Sequence, residues 1–249
     1  MDVKRINTNS YKTIIKDNNP LFLEIDSITK LDIIVNENVS SRLVIIGNSD
    51  YDINIILLNN ATLVINSINK NNSVNATVSL NELANITYNH SIFSVNESIN
   101  TFTINHLANS SVSILNNNGI NNGNNKLFFT IDGIIPNKLH NITCNQSSKI
   151  INYKNGDSKI IPNLIISSND IIANHAAYIG EINEEELFYM QSRGIDKENI
   201  KKLVYKGVLL GSMELKEEKE EFNKIINEWW WLNESWWFSN VKAWLYLFW

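Results

Sequence analysis

The chain of 249 residues is poor in several residue types that direct particular folds and functions. It has one cysteine, Cys144, which excludes an internal disulfide and a zinc site built from cysteines alone. Its 3 prolines and 9 glycines exclude a collagen-like or proline-rich chain. A formal net charge of -5 offers no basic surface that tracks phosphates, so we expect no nucleic-acid partner. Since the start of the sequence carries no apolar leader either, we expect a cytoplasmic protein.

Charged side chains are scarcest between Leu43 and Asn125, where the sequence has only five. This stretch consists of short runs rich in isoleucine and valine, which are separated by asparagine, serine and glycine. Apolar and polar residues tend to alternate within the runs, as is typical of strands with one buried face. No segment with the length and period of a helix precedes residue 180. Turns every 8 to 12 residues or so are compatible with a sandwich, a barrel or a β-solenoid.

Asparagine is strongly over-represented, especially at the ends of the predicted strands. In a solenoid, equivalent turns stack, so asparagine amides can form hydrogen-bonded ladders and asparagine can adopt the left-handed backbone of the corners. The same residues are also compatible with loops of a sandwich in a protein whose genome is rich in A and T. The pattern alone therefore leaves the solenoid and the sandwich open.

Helices are predicted only after Gly180. Asn183 is a good N-cap for the first helix. The acidic residues that follow it lie in the first turn, where they interact favourably with the positive end of the helix dipole. Gly194 is placed to end this helix, and Asp196 to cap the second. A third begins near Glu214, and its charged run is expected to be a solvated face. The inward-facing residues are predicted to be Leu187, Phe188 and Met190 in the first helix, Ile200, Leu203, Val204 and Val208 in the second, and Phe222, Ile225 and Ile226 in the third.

The chain divides into a β core over residues 1–180, a helical module over 181–228 and a tail over 229–249. The module is too small to bury much surface alone, so we expect it to pack on the β core. The tail holds all 7 tryptophans and is too short and too polar to span a membrane. Its aromatic composition suits a membrane interface or a partner groove, but it matches nothing upstream, which favours a frameshifted or read-through end.

Motifs of enzymes are absent from the sequence. It has no glycine-rich phosphate loop, no HExxH or GxSxG motif and no pair of closely spaced cysteines, so we expect no catalytic activity. His90 and His106 lie in strand patterns, and we interpret them as hydrogen-bonded structural residues.

The segment from Ile161 to Leu209, IPNLIISSNDIIANHAAYIGEINEEELFYMQSRGIDKENIKKLVYKGVL, resembles the C-terminal signature of the SufB/SufD family of iron–sulfur cluster assembly proteins. The matching positions are Pro162, Leu164, Ile166, His175, Ala177, Gly180, Leu187, Phe188, Tyr189, Ser192, Arg193, Gly194 and Ile195. Weaker matches upstream are Phe129, Gly133, Ile134 and Gln146.

The resemblance implies a right-handed parallel β-helix with a small C-terminal helical module, and it favours the solenoid over the sandwich. It further implies a non-catalytic, SufD-like subunit of a SufB–SufC–SufD type scaffold. Such a subunit pairs with a SufB/SufD-like partner and docks a SufC-type ABC ATPase. No cofactor is expected to bind tightly, although a transient iron–sulfur cluster or iron at a composite interface is compatible with the resemblance.

The same resemblance points to candidate site residues. His175 is the candidate for cluster assembly at a subunit interface and the candidate metal ligand, because iron and sulfide need imidazole or thiolate donors. The thiolate is expected from a partner, since Ala173 stands where some SufD proteins have a cysteine and Cys144 is not clearly on the matching strand. The candidates for SufC docking are Phe188, Tyr189, Arg193 and Leu203.

Two other functions remain as alternatives. One is a structural or adhesive β-solenoid protein whose aromatic tail contacts a membrane or a fibre. The other is a solenoid enzyme acting on carbohydrates, which the scarcity of charged residues in the strands disfavours.

Overall fold

A computed structural model describes residues 3–153 and 155–229. Within them, 15 strands form two parallel sheets that alternate along the chain. Sheet A consists of β1 (Lys4–Ile6), β3 (Leu21–Ile25), β5 (Ser40–Gly47), β7 (Thr62–Lys70), β9 (Asn85–Ser94), β11 (Val112–Asn122), β13 (His140–Tyr153) and β15 (Asp170–Glu181). Sheet B consists of β2 (Ser10–Ile15), β4 (Thr29–Val35), β6 (Tyr51–Leu57), β8 (Val74–Leu80), β10 (Ser98–His106), β12 (Lys126–Ile135) and β14 (Asp157–Ile166).

Each strand pairs in parallel with the strand two places along the chain. The chain therefore winds as a coil in which one strand of each sheet contributes to every turn, or rung, of the coil. This architecture confirms the predicted parallel β-helix and excludes the sandwich.

The core lies in the lumen, between the two sheets. One inward-facing column of sheet A runs through Leu43, Ile65, Tyr88, Leu115 and Gln146, each in register with the next, and all of these residues are buried. The alternation of apolar and polar residues in the sequence produces this column, because every second side chain of a strand faces the lumen.

Two buried histidines lie in the lumen, as structural residues. The ring of His90 packs edge-on against Phe102, with 5.0 Å between ring centroids, and burial lowers the pKa of His90 to about 3. The ring nitrogens of His106 share hydrogen bonds with the hydroxyls of Ser111 and Ser113, at 2.7 and 2.9 Å, and burial lowers the pKa of His106 to about 4. Both imidazoles are therefore neutral at physiological pH.

Asparagine has both of the roles expected of it in a solenoid. Asn38, Asn60 and Asn71 have positive φ angles between 55° and 60° at corners of the coil, where the left-handed conformation is needed. The Asn60 Nδ2 atom donates to the Asn38 Oδ1 atom of the preceding rung at 2.8 Å. These contacts give part of the asparagine excess a structural role.

Three helices follow the strands within the described residues: α1 (Glu184–Ser192), α2 (Lys197–Leu210) and α3, over residues 216–229. The predicted caps are confirmed, since the side chain of Asn183 accepts a hydrogen bond from the Glu185 backbone and that of Asp196 accepts two. Gly194 ends α1 with a φ of 84°.

Helices α2 and α3 pack on the outer face of sheet A, as expected for the module. The apolar contact is made by Val44, Ile68, Phe93, Ile120 and Ile151 of sheet A with Tyr205, Val208, Leu209, Met213, Phe222, Ile226 and Trp229 of the helical part. Hydrogen bonds add to it, because the Ser91 hydroxyl donates to the Leu209 carbonyl and the Asn118 amide to the Ser212 hydroxyl.

Two predictions about the helices are wrong. Helix α1 buries none of its residues, and Phe188, which was predicted to face inward, is 73% exposed. Leu203 of α2, also predicted to face inward, is exposed as well. Glu218, which lies in the charged run predicted to be solvated, is only 3% exposed because it is held against sheet A. Periodicity identified these helices correctly but did not show which of their faces meet the coil.

No helix within the described residues is long and apolar enough to cross a membrane. Trp229 is the last described residue of α3 and packs against Phe93. The remainder of the predicted aromatic tail lies outside the described residues.

Candidate functional site

The last rung of the coil, formed by β14 and β15, leaves the lumen open. Ile150 of β13 is completely buried, whereas its register partner Ile179 of β15 is 43% exposed. On sheet B, Ile135 is buried and its partner Ile166 is 36% exposed. These inward-facing side chains are exposed because no described strand lies beyond β14 and β15. The rung therefore presents both apolar side chains and an unpaired strand edge.

His175 lies on this terminal rung. It is in register with the buried Gln146 of β13 and so belongs to the same inward-facing column. Unlike Gln146, it is exposed, because the column ends with it. The imidazole is therefore presented at the open end of the coil and not sealed in the interior. This position gives it access to another chain.

The thiol of Cys144 lies one rung below, in the lumen. It is buried and in register with Ala173 of β15, so it lies in the inward-facing column next to that of His175. Burial raises the pKa of the Cys144 thiol, which keeps it protonated and unreactive near neutral pH. Cys144 is therefore not placed to supply a thiolate at the exposed rung.

The exposed edge of β15 carries further groups that bear on binding. Ile172 and Tyr178, together with Ile179, are exposed apolar residues of one strand. The Lys149 ammonium lies over the Tyr178 ring, 5.5 Å from its centroid. Apolar residues along an unpaired edge favour association with another strand, since the backbone groups of the edge lack a strand partner and the apolar side chains remain in water.

The four candidate docking residues lie on the helical module, away from the coil's lumen. Phe188, Tyr189 and Leu203 are all exposed large apolar residues on α1 and α2. Arg193 follows α1, and its guanidinium donates to the Tyr189 hydroxyl at 3.2 Å and stacks over the same ring at 5.2 Å. All four docking candidates are thus exposed on the module.

The structure therefore separates the candidates into two surfaces. His175 lies on the terminal rung, whereas the docking candidates lie on α1, α2 and the turn between them. Among residues 3–153 and 155–229, no group of three or more His, Cys, Asp or Glu side chains is placed to hold a metal ion.

Sequence reasoning missed the terminal rung as a surface. Ile166 and Ile179 follow the same alternation as the buried residues below them, so the pattern predicts that they are buried. The signal that would have found them is the change from strands to helices after Gly180, which marks the end of the coil.

Comparison with known proteins agrees with this architecture. The family model described as "SUF system FeS cluster assembly, SufBD core domain" matches residues 37–208. Over 48 residues the chain is 44% identical to the iron-sulfur cluster assembly protein SufD of Bacillus subtilis (strain 168). This alignment covers 19% of this chain and 11% of that protein. Over 64 residues it is 38% identical to an iron-sulfur cluster assembly SufBD family protein of Mycobacterium leprae (strain TN). That alignment covers 25% of this chain and 16% of the relative. The aligned segments thus span less than a fifth of either relative.

Proposed function

Because this chain belongs to the SufBD core-domain family of the SUF system for iron–sulfur cluster assembly, we propose that it is a non-catalytic, SufD-like subunit of a cluster assembly scaffold. It pairs with a SufB/SufD-like subunit through its terminal rung and docks a SufC-type ABC ATPase on its helical module. The observation that carries this proposal is the exposure of His175 at the open end of a rigid coil.

Pairing through the terminal rung is supported by what that rung exposes. The inward-facing Ile166 and Ile179 are left partly in water, and β15 has a neighbouring strand on one side only among the described residues. A second subunit that adds a strand or covers this end would bury both the apolar groups and the backbone edge.

A cluster or iron ion is the cargo of this scaffold and binds only transiently. His175 contributes an imidazole, and the partner contributes the thiolate, since the Cys144 thiol is buried and its pKa is raised. The sequence has no glycine-rich phosphate loop, so in this proposal ATP is bound and hydrolysed by the docked ATPase.

Docking of the ATPase is supported by the exposed apolar surface of α1 and α2. Aromatic and arginine side chains are enriched at the centres of protein interfaces, and Phe188, Tyr189 and Arg193 lie within six residues of one another. Since α1 buries none of its residues completely, much of its surface is available to a partner.

The docking surface is tested by measuring the affinity of the full chain for a SufC-type ATPase. Replacement of the exposed Phe188 by alanine is expected to weaken binding by a factor of about 30 or more, as for an interface hot spot. The matched control is Leu107→Ala, which removes an exposed apolar side chain from the coil instead. Equal affinities of the wild type and both variants would contradict docking at this surface.

The pairing surface is tested by sedimentation of the chain with a SufB/SufD-like partner. Ile179→Lys places a charge at the open rung and is expected to abolish the complex. Ile99→Lys is the control, because Ile99 is exposed to a similar extent, 45%, but lies on sheet B away from the terminal rung. If the two variants assembled equally well, the terminal rung would not be the interface.

A further inference from the structure

A buried carboxylate joins the helical module to the coil. Glu218 lies in the first turn of α3, a stretch whose other acidic residues are exposed. Its side chain is 3% exposed, although no other carboxylate among the described residues is buried. Since burying an unpaired charge is strongly unfavourable, this position requires partners on the coil.

Those partners come from two neighbouring strands of sheet A. Arg42 of β5 makes a bidentate salt bridge, in which Nε donates to Glu218 Oε1 at 2.9 Å and Nη2 donates to Oε2 at 2.8 Å. The Nδ2 atom of Asn66, on β7, also donates to Oε2. Three donors thus fix both oxygens of the carboxylate, and these directional contacts tie α3 to one point of sheet A.

The contact continues along sheet A as a ladder of asparagines. Asn89 Nδ2 donates to Asn66 Oδ1 at 2.8 Å, and Asn116 Nδ2 donates to Asn89 Oδ1 at 2.8 Å. All three amides point their donors in one direction, toward the Glu218 carboxylate. In such a chain each hydrogen bond polarises the next, so the carboxylate and the ladder strengthen one another.

We propose that Glu218 is the positioning residue of the helical module. Through Arg42 and the ladder that ends at Asn66, it fixes the position of α2 and α3 on the coil, and with it the position of the docking surface. The apolar contact between helices and coil is strong but not directional, since hydrophobic association does not by itself define a register. Helix α1 buries none of its residues and contacts α2, so its position depends in part on how α2 packs on the coil. The role of Glu218 in ATPase docking rests on the proposed function, whereas its role in the packing of the helices on the coil does not.

Hydrogen exchange of the full chain, followed by mass spectrometry, directly tests how firmly α2 and α3 are held on the coil. Glu218→Gln keeps the size of the side chain but removes its charge. We expect exchange within 197–229 to accelerate by a factor on the order of 10 to 100, the range for hydrogen bonds to charged groups, and exchange in β5 to β13 to remain unchanged. The control is Glu221→Gln on the same helix, where the carboxylate pairs with Lys224 at 3.0 Å but is exposed.

A second variant separates a positioning role from a general loss of stability. In Glu218→Gln, Arg42 is left without its counter-charge, so Arg42→Gln combined with Glu218→Gln is expected to restore part of the protection in 197–229. The affinity for a SufC-type ATPase should follow the protection of the helices across these variants.

The proposal is overturned if Glu218→Gln affects exchange no more than Glu221→Gln, or if it accelerates exchange equally in the coil and the helices. Failure of the wild-type chain to bind the ATPase would contradict the docking function instead, and the exchange results alone would then decide the role of Glu218.

Discussion

Acid should destabilise the β-helix through the two histidines buried in its lumen. Unfolding releases His90 and His106 into water, where their pKa returns to the ordinary value of 6.5 from about 3 and about 4 in the folded chain. Between these values the unfolded chain binds more protons than the folded one. The free energy of unfolding must therefore fall as the pH is lowered.

The size of this effect follows from the same pKa values. Between pH 7 and pH 5 the unfolded imidazoles become protonated while the folded ones stay neutral, so each histidine lowers the free energy of unfolding by about 2 kcal/mol. The two together account for about 4 kcal/mol, a large fraction of the stability of an ordinary domain.

Urea denaturation followed by circular dichroism at pH 7 and pH 5 measures this loss. His90→Gln and His106→Gln should each reduce the difference between the two pH values by about 2 kcal/mol, whatever their stability at pH 7. Ser67→Ala is the control, because it removes a hydrogen-bond partner of His90 but keeps the imidazole, and the pH dependence should persist. A wild-type chain whose stability changed by less than about 1 kcal/mol over this range would refute the reasoning.

Two glycines give opposite expectations in thermal denaturation. Gly133→Ala would place a Cβ atom 2.7 Å from the Cys144 sulfur and 2.8 Å from the Gln146 amide nitrogen, so we expect a loss of about 1–3 kcal/mol, part of which Cys144→Ala restores. Gly207→Ala, in an open position of α2 with nothing within 4 Å of the new atom, should instead stabilise by about 0.5–1 kcal/mol. A stabilised Gly133 variant, or a destabilised Gly207 variant, would contradict the packing described for these positions.

The strands were predictable because alternation is a local property. Leu43 and Ile65 occupy equivalent inward positions, and the pattern of the sequence identifies both as buried. Their pairing was not predictable from the pattern, since successive rungs have unequal lengths: 22 residues separate Leu43 from Ile65, but 31 separate Leu115 from Gln146. Without a fixed period, the sequence shows no repeat, and the family resemblance was needed to choose the solenoid.

The candidate site was predictable in part for a related reason. The resemblance identified His175, and the strand pattern ending at Gly180 is consistent with its place on the last rung. The burial of Glu218 was not predictable, because its partners Arg42 and Asn66 are more than 150 positions away along the chain. A charged run on a helix predicts exposure unless tertiary contacts intervene.

Iron and acid-labile sulfide bound by the assembled complex, with its SufB-like partner and SufC-type ATPase, test the central claim most directly. The His175→Ala complex is compared with wild type and with His140→Ala, which removes an exposed histidine from the neighbouring β13. We expect the His175→Ala complex to assemble normally but to lose most of its iron and sulfide, whereas the His140→Ala complex retains them. Equal cluster content in all three complexes would contradict a role for the imidazole at the open rung.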